Sequence, residues 1–231
     1  MKQVCSHWLF LLMIILPLIS GCVTGEQRFA ERDRFLLLSR EVGPRERPLQ
    51  KLLLASFDFD SADSILNCPV AKGEWQVKDG RLWAVGGEHD RCILLAQGAK
   101  GPLRIELEVT NYANPDGSLG DITLFINSSK SNYFSRGYAL TTGSYYNNCT
   151  TIYRQGHALA KTEYSPLVSG KKYKVTVELT DGHMRYWLDD KIILEAWDPN
   201  PLEPDPGLWI GLRTYNTKMA ADSFSVYWLN P

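Results

Sequence analysis

The chain has 231 residues, with 25 Lys and Arg against 26 Asp and Glu and a formal net charge of −1. That balance, with no long basic block, argues against nucleic acid as a partner. The length allows one domain with a sizeable core.

The N-terminus reads "MKQVCSHWLFLLMIILPLISGCVTG". A single Lys2 precedes an apolar run from Leu9 to Ile19, broken only by Pro17. The run is too short to span a bilayer comfortably and has the look of the apolar core of an export signal. Its end, Ile19-Ser20-Gly21-Cys22, resembles the bacterial lipobox, which implies that residues 1–21 are removed and Cys22 is acylated, with palmitate or a similar chain. Each buried methylene of such chains contributes about 0.8 kcal/mol to membrane attachment. Val23 stands where an Asp would imply inner-membrane retention, so the expected address is the outer membrane of a cell envelope.

Residues 22–51 are charge-rich, helix-permissive to about Val42 and then broken by Gly43, Pro44 and Pro48. They read as a tether with no chemistry of its own. From Leu52 to Pro231 the pattern changes to short alternating segments punctuated by Gly, Asn, Asp and Pro. "LLASFDF", "EWQV", "RLWAV", "CILLAQ", "LRIELEVT", "DITLFIN", "GYALTTG" and "TTIYRQ" read as strands, as do "KYKVTVELT", "HMRYWLD", "KIILEAW", "LWIGLRTY" and "DSFSVYWL". Asp-Gly pairs at 79–80 and 181–182, each between alternating runs, predict two-residue hairpins. The expected fold is all-β, an antiparallel sandwich of two packed sheets, and a monomer. Three cysteines lie in this domain; Cys68 and Cys92 are the expected disulfide by proximity in sequence, with three free thiols as the alternative.

"GEWQVKDGRLWA", followed at a distance by "YKVTVELTDGHMRYWLDDKIILEAWD", "PGLWIGLRT" and "DSFSVYWL", resembles concanavalin A-like jelly rolls over roughly Leu52 to Leu229. Within that superfamily the nearest look is the 3-keto-disaccharide hydrolase type and the laminin-G-like glycan-binding modules. The resemblance implies carbohydrate held on the concave sheet or its rim. It also implies a structural Ca²⁺ where first and last strands meet, for which Asp58, Asp60 and Asp222 are the candidates and turn-capping is the alternative role. No other cofactor is expected.

A sugar site wants exposed rings to stack on C–H faces and polar groups to bond hydroxyls. The middle of the chain offers Tyr138, Tyr153 and Arg154, among other tyrosines. Alternation places Arg185 and Trp187 on one face of their strand, and Arg213 and Tyr215 on one face of theirs. In "LRIELEVT", Arg104, Glu106 and Glu108 share a face, the two carboxylates roughly 6.5 Å apart by strand rise. That spacing lies within reach of a glycosidase pair. Glucanases of this superfamily, however, carry Glu-x-Asp-x-x-Glu, and here Glu108 and Asn111 stand in the second and third places. The glutamates are therefore candidates either for catalysis, with His157 as a base, or for an ordinary solvated face. Three readings follow: a carbohydrate-active hydrolase or lyase, a non-catalytic glycan-binding module, or an adaptor lipoprotein contacting another protein.

Overall fold

A computed structural model describes residues 50–85, 89–98, 101–203 and 205–230. The expected signal sequence, Cys22 and nearly all of the expected tether lie outside the described residues. The first half of the domain forms β1 (Gln50–Phe57), β2 (Val70–Lys72), β3 (Glu74–Lys78), β4 (Arg81–Val85), β5 (Asp90–Gln97), β6 (Leu103–Tyr112) and β7 (Ile122–Ser128). The second half forms β8 (Tyr138–Gly143), β9 (Cys149–Arg154), β10 (His157–Thr162), β11 (Lys172–Thr180), β12 (His183–Leu188), β13 (Lys191–Trp197), β14 (Trp209–Tyr215) and β15 (Lys218–Asn230).

These strands make two antiparallel sheets. One runs β13-β12-β11-β6-β15-β4-β3, with β1 also paired to β15; the other runs β10-β9-β8-β7-β14-β5-β2. We call them the terminal sheet, because it holds β1 and β15, and the inner-chain sheet. β2 and β10, which no expected strand covers, are the two edges of the inner-chain sheet. An edge strand packs against one neighbour only, so neither needs a strong apolar alternation.

Alternation decides which side chains enter the sandwich. Leu103, Ile105, Leu107 and Val109 of β6 are buried between the sheets with Val175, Val177 and Phe224 from the neighbouring strands. Leu124, Ile126, Leu140, Ile152 and Leu212 meet them from the other sheet. Both expected hairpins are present: Asp79 and Gly80 have φ of 54° and 68°, and Asp181 and Gly182 have φ of 49° and 81°. Positive φ at both central residues gives the turn whose twist matches paired strands.

Cys68 and Cys92 are not bonded; both are free thiols, as is Cys149. Cys68 packs against the core between the sheets, whereas Cys92 belongs to a second apolar cluster with Leu94, Phe125 and Ala139 on the outer face of the inner-chain sheet. The sheet lies between the two sulfurs, which closeness in sequence does not reveal.

Candidate functional site

The outer face of the inner-chain sheet is partly roofed by the segment between β7 and β8. Tyr133 and Phe134 from that segment pack edge-on against Phe125, with ring centroids 5.8 and 6.1 Å away. Beside this roof opens a hollow of about 190 Å³, lined by Asp121, Phe134, Thr141, Ser144, Tyr145, Tyr153, Arg213 and Tyr215.

Arg213 is its centre. The Nε donates to Asp90 Oδ1 at 2.7 Å and Nη1 donates to Asp121 Oδ2 at 3.0 Å. The guanidinium carbon lies 5.6 Å from the Phe134 ring centroid and 5.3 Å from that of Tyr215, within cation–π range of both. Burial works against its charge, but the two carboxylates outweigh that and hold it protonated. The carboxylates are themselves fully engaged. Asp121 Oδ1 accepts the backbone N–H of Tyr215 at 2.9 Å, and Asp90 Oδ2 accepts the Tyr133 hydroxyl. Burial lifts Asp121 to about 6, with the Arg213 charge pulling the other way. Burial first, then the bond to Asp90, pushes the Tyr133 hydroxyl far above its ordinary value, so it stays a donor.

One wall is an unusual piece of backbone. After Gly143, the one-turn helix Ser144–Asn147 places Tyr145 at φ 53°, ψ 56° and Tyr146 at φ 60°, ψ 46°, with Asn147 at φ 63°. Three successive non-glycine residues thus sit in the left-handed region. Side chains hold the turn. Asn147 Nδ2 donates to the Leu167 carbonyl at 2.9 Å, Ser165 donates to Asn147 Oδ1, and Asn148 Nδ2 donates to the Tyr145 carbonyl at 2.7 Å. The result is that Tyr145, 66% exposed, lines the hollow together with Tyr215, 47% exposed.

The sequence candidates separate into groups. Arg213, Tyr215 and Tyr153 come together in the hollow. Arg104, Arg185 and Trp187 lie on the outer face of the terminal sheet, away from it. There Arg104 donates to Glu106 at 2.6 Å and Glu178 at 2.7 Å, and Arg185 pairs with Glu178 at 3.4 Å. The Trp187 ring is flanked by Arg104 at 6.0 Å and Arg185 at 5.6 Å. Tyr138 is not available to a ligand at all. It is buried in the core, donates to Asp198 Oδ2 at 2.7 Å and accepts the Leu202 N–H at 2.8 Å. Arg154 binds the same Asp198 oxygen at 2.7 Å, so the pair tethers the segment after β13.

The catalytic assignment fares no better on geometry. Glu106 accepts from Lys51 at 2.8 Å and from Arg104, and Glu108 lies 3.6 Å from Lys172. Burial works to raise Glu106, but the bonds from Lys51 and Arg104 hold its carboxyl below the usual range, the wrong direction for a general acid. Both glutamates belong to an ion-paired solvated face, and the exposed His157 starts β10 on the opposite sheet, so the three do not meet. Among the described residues no cluster of three His, Cys, Asp or Glu is gathered for a metal ion. Asp222 is instead held by Arg81 Nε at 2.9 Å, Arg81 Nη2 at 3.0 Å and Lys172 at 2.8 Å, and Asp58 accepts from the Asp60 backbone at 3.3 Å.

Sequence reading missed Asp90 and Asp121. Asp90 opens β5 and Asp121 directly precedes β7, places where a carboxylate usually just ends a turn, and no local spacing ties either to Arg213.

No family model matches the chain. No curated protein matches it either. Solved structures do. A protein of unknown function with a galectin-like fold from Bacillus subtilis is 15% identical with a TM-score of 0.64, over 79% of this chain and 99% of that one. The carbohydrate-binding module CBM66 from Bacillus subtilis is 16% identical with a TM-score of 0.55, over 67% and 91%. The carbohydrate recognition domain of Emp47p is 11% identical with a TM-score of 0.57, over 82% and 100%. At such identities the likeness is one of fold, a jelly-roll sandwich of two antiparallel sheets.

Proposed function

We propose that this protein binds carbohydrate in the hollow around Arg213, without cleaving it. The observation that carries the reading is one hollow lined both by two exposed rings, Tyr145 and Tyr215, and by polar groups from Thr141, Ser144, Tyr153 and Arg213. Rings accept the C–H face of a sugar, while hydroxyls and guanidinium N–H groups bond its hydroxyls. A carbohydrate-binding module and a carbohydrate recognition domain share the fold, which is consistent with that use. Hydrolysis is disfavoured because it needs a carboxyl free to give or take a proton. Asp90 and Asp121 each have both oxygens committed to protein donors.

The test is a glycan array followed by calorimetric titration of the domain, with products followed by mass spectrometry. Saturable binding with no new fragments supports the reading. Fragments would make the protein an enzyme, and a folded domain that binds nothing on the array would leave the adaptor reading.

We further infer that the domain is held at the bacterial outer membrane through an acylated Cys22, on the sequence pattern around that residue. Cys22→Ala is expected to move the protein from the detergent phase to the aqueous phase on phase partition; an unchanged distribution would remove the anchor.

A further inference from the structure

An arginine at the centre of a sugar site invites the reading that the ligand is acidic. Here the surroundings point the other way. The Arg213 guanidinium is balanced by two carboxylates, Asp90 and Asp121, and the Phe134 and Tyr215 rings lie within cation–π range of it. A second cation, Lys161, has its ammonium 5.4 Å from the Tyr145 ring and is paired with Glu163 at 2.7 Å. Among these described residues, two cations thus stand against three carboxylates. Beyond them the lining consists of hydroxyls and aromatic rings: Thr141, Ser144, Tyr145 and Tyr153. The remaining Arg213 N–H groups are left to donate to neutral acceptors.

We propose that the hollow selects uncharged glycans and excludes those bearing carboxylate or sulfate groups. This rests on the carbohydrate reading above. A sugar carboxylate seated beside Arg213 would also lie near Asp90 and Asp121, and near a protein surface repulsion at such range outweighs what one already neutralised guanidinium returns. Hydroxyl-only sugars meet no such opposition.

The experiment titrates the domain with matched pairs: lactose against sialyllactose, methyl-esterified against free oligogalacturonate, and lactose against its sulfate ester. The neutral member of a bound pair is expected to bind roughly fivefold or more tightly than its anionic partner. Raising the salt concentration should narrow that gap, because screening weakens the repulsion. Asp90→Asn keeps the shape and removes one charge, so it should narrow the gap at low salt, with circular dichroism confirming the fold. If that variant fails to fold, the salt series on the unaltered protein decides alone. An anionic member that binds as well as or better than its neutral partner overturns the selectivity and leaves carbohydrate binding standing. Absence of binding to every member and to the array overturns the carbohydrate reading itself.

Discussion

Asp222, part-covered, and Asp121, buried, both have arginine partners, yet their surroundings shift them in opposite directions. Burial works to raise Asp222, but hydrogen bonds from Arg81 and Lys172 prevail and hold it below its ordinary value of 3.8. A lowered carboxyl stabilises the fold above that ordinary value, and the contribution is lost as the pH falls through the folded value. Asp222→Asn is therefore expected to cost about 1–3 kcal/mol at neutral pH by urea unfolding, because Arg81 loses a two-point partner. The deficit should shrink toward pH 3; a deficit constant with pH would disprove the ionic account. Asp121 has the reverse sign. Its value is raised to about 6 by burial, so what it contributes is full below 3.8 and is lost as the pH rises through about 6. In the hollow itself, Tyr145→Ala and Tyr215→Ala should each weaken sugar binding about fivefold, the worth of one stacked ring near 1 kcal/mol. Trp187→Ala, on the other sheet, should leave the titration unchanged. Equal losses from all three would move the site.

Among the elements, the left-handed turn at Ser144–Asn147 carries a cost the strands do not. An L-residue in that conformation is disfavoured by roughly 1–2 kcal/mol, because Cβ crowds the following carbonyl oxygen. Tyr146 bears that cost while standing 80% exposed and outside the hollow. Tyr146→Gly should raise stability by up to about 1 kcal/mol, part of the relief being offset by the looser unfolded chain. Sugar affinity should not change, and a fall in the unfolding midpoint would show that the Tyr146 side chain holds the turn together. The Gly and Asn residues of "GSYYNNCT" mark a connection between strands, but two tyrosines in the left-handed region are not what their strand preference suggests. The strands themselves were legible because their alternation is strong wherever both neighbours demand it, as in β6 and β11. β2 and β10 were not, because an edge makes no such demand. Alternation likewise put Arg213 and Tyr215 on one face. Their carboxylate partners come from residues 123 and 92 positions away, a juxtaposition made by strand order and invisible to local spacing.

At the scale of the whole molecule, sidedness governs what sequence reading brought together wrongly. Glu106 and Trp187 belong to one outer face and Arg213 to the other, so a set that looked like one site is two surfaces separated by a core. The cysteines follow the same rule, and a reductant is expected to leave the melting temperature of the domain unchanged. Cys92 and Cys149, both buried, should resist a thiol reagent until the protein unfolds. A reductant-sensitive melting point would reinstate a disulfide. Sidedness also has a practical consequence. Gln50 of β1 is paired directly with Asn230 of β15, and both lie on the terminal sheet. A few linking residues would bridge them, so a permuted chain opened elsewhere is feasible. A sensor chip that grips the protein at either position would leave the opposite sheet, with its hollow, turned toward the solution.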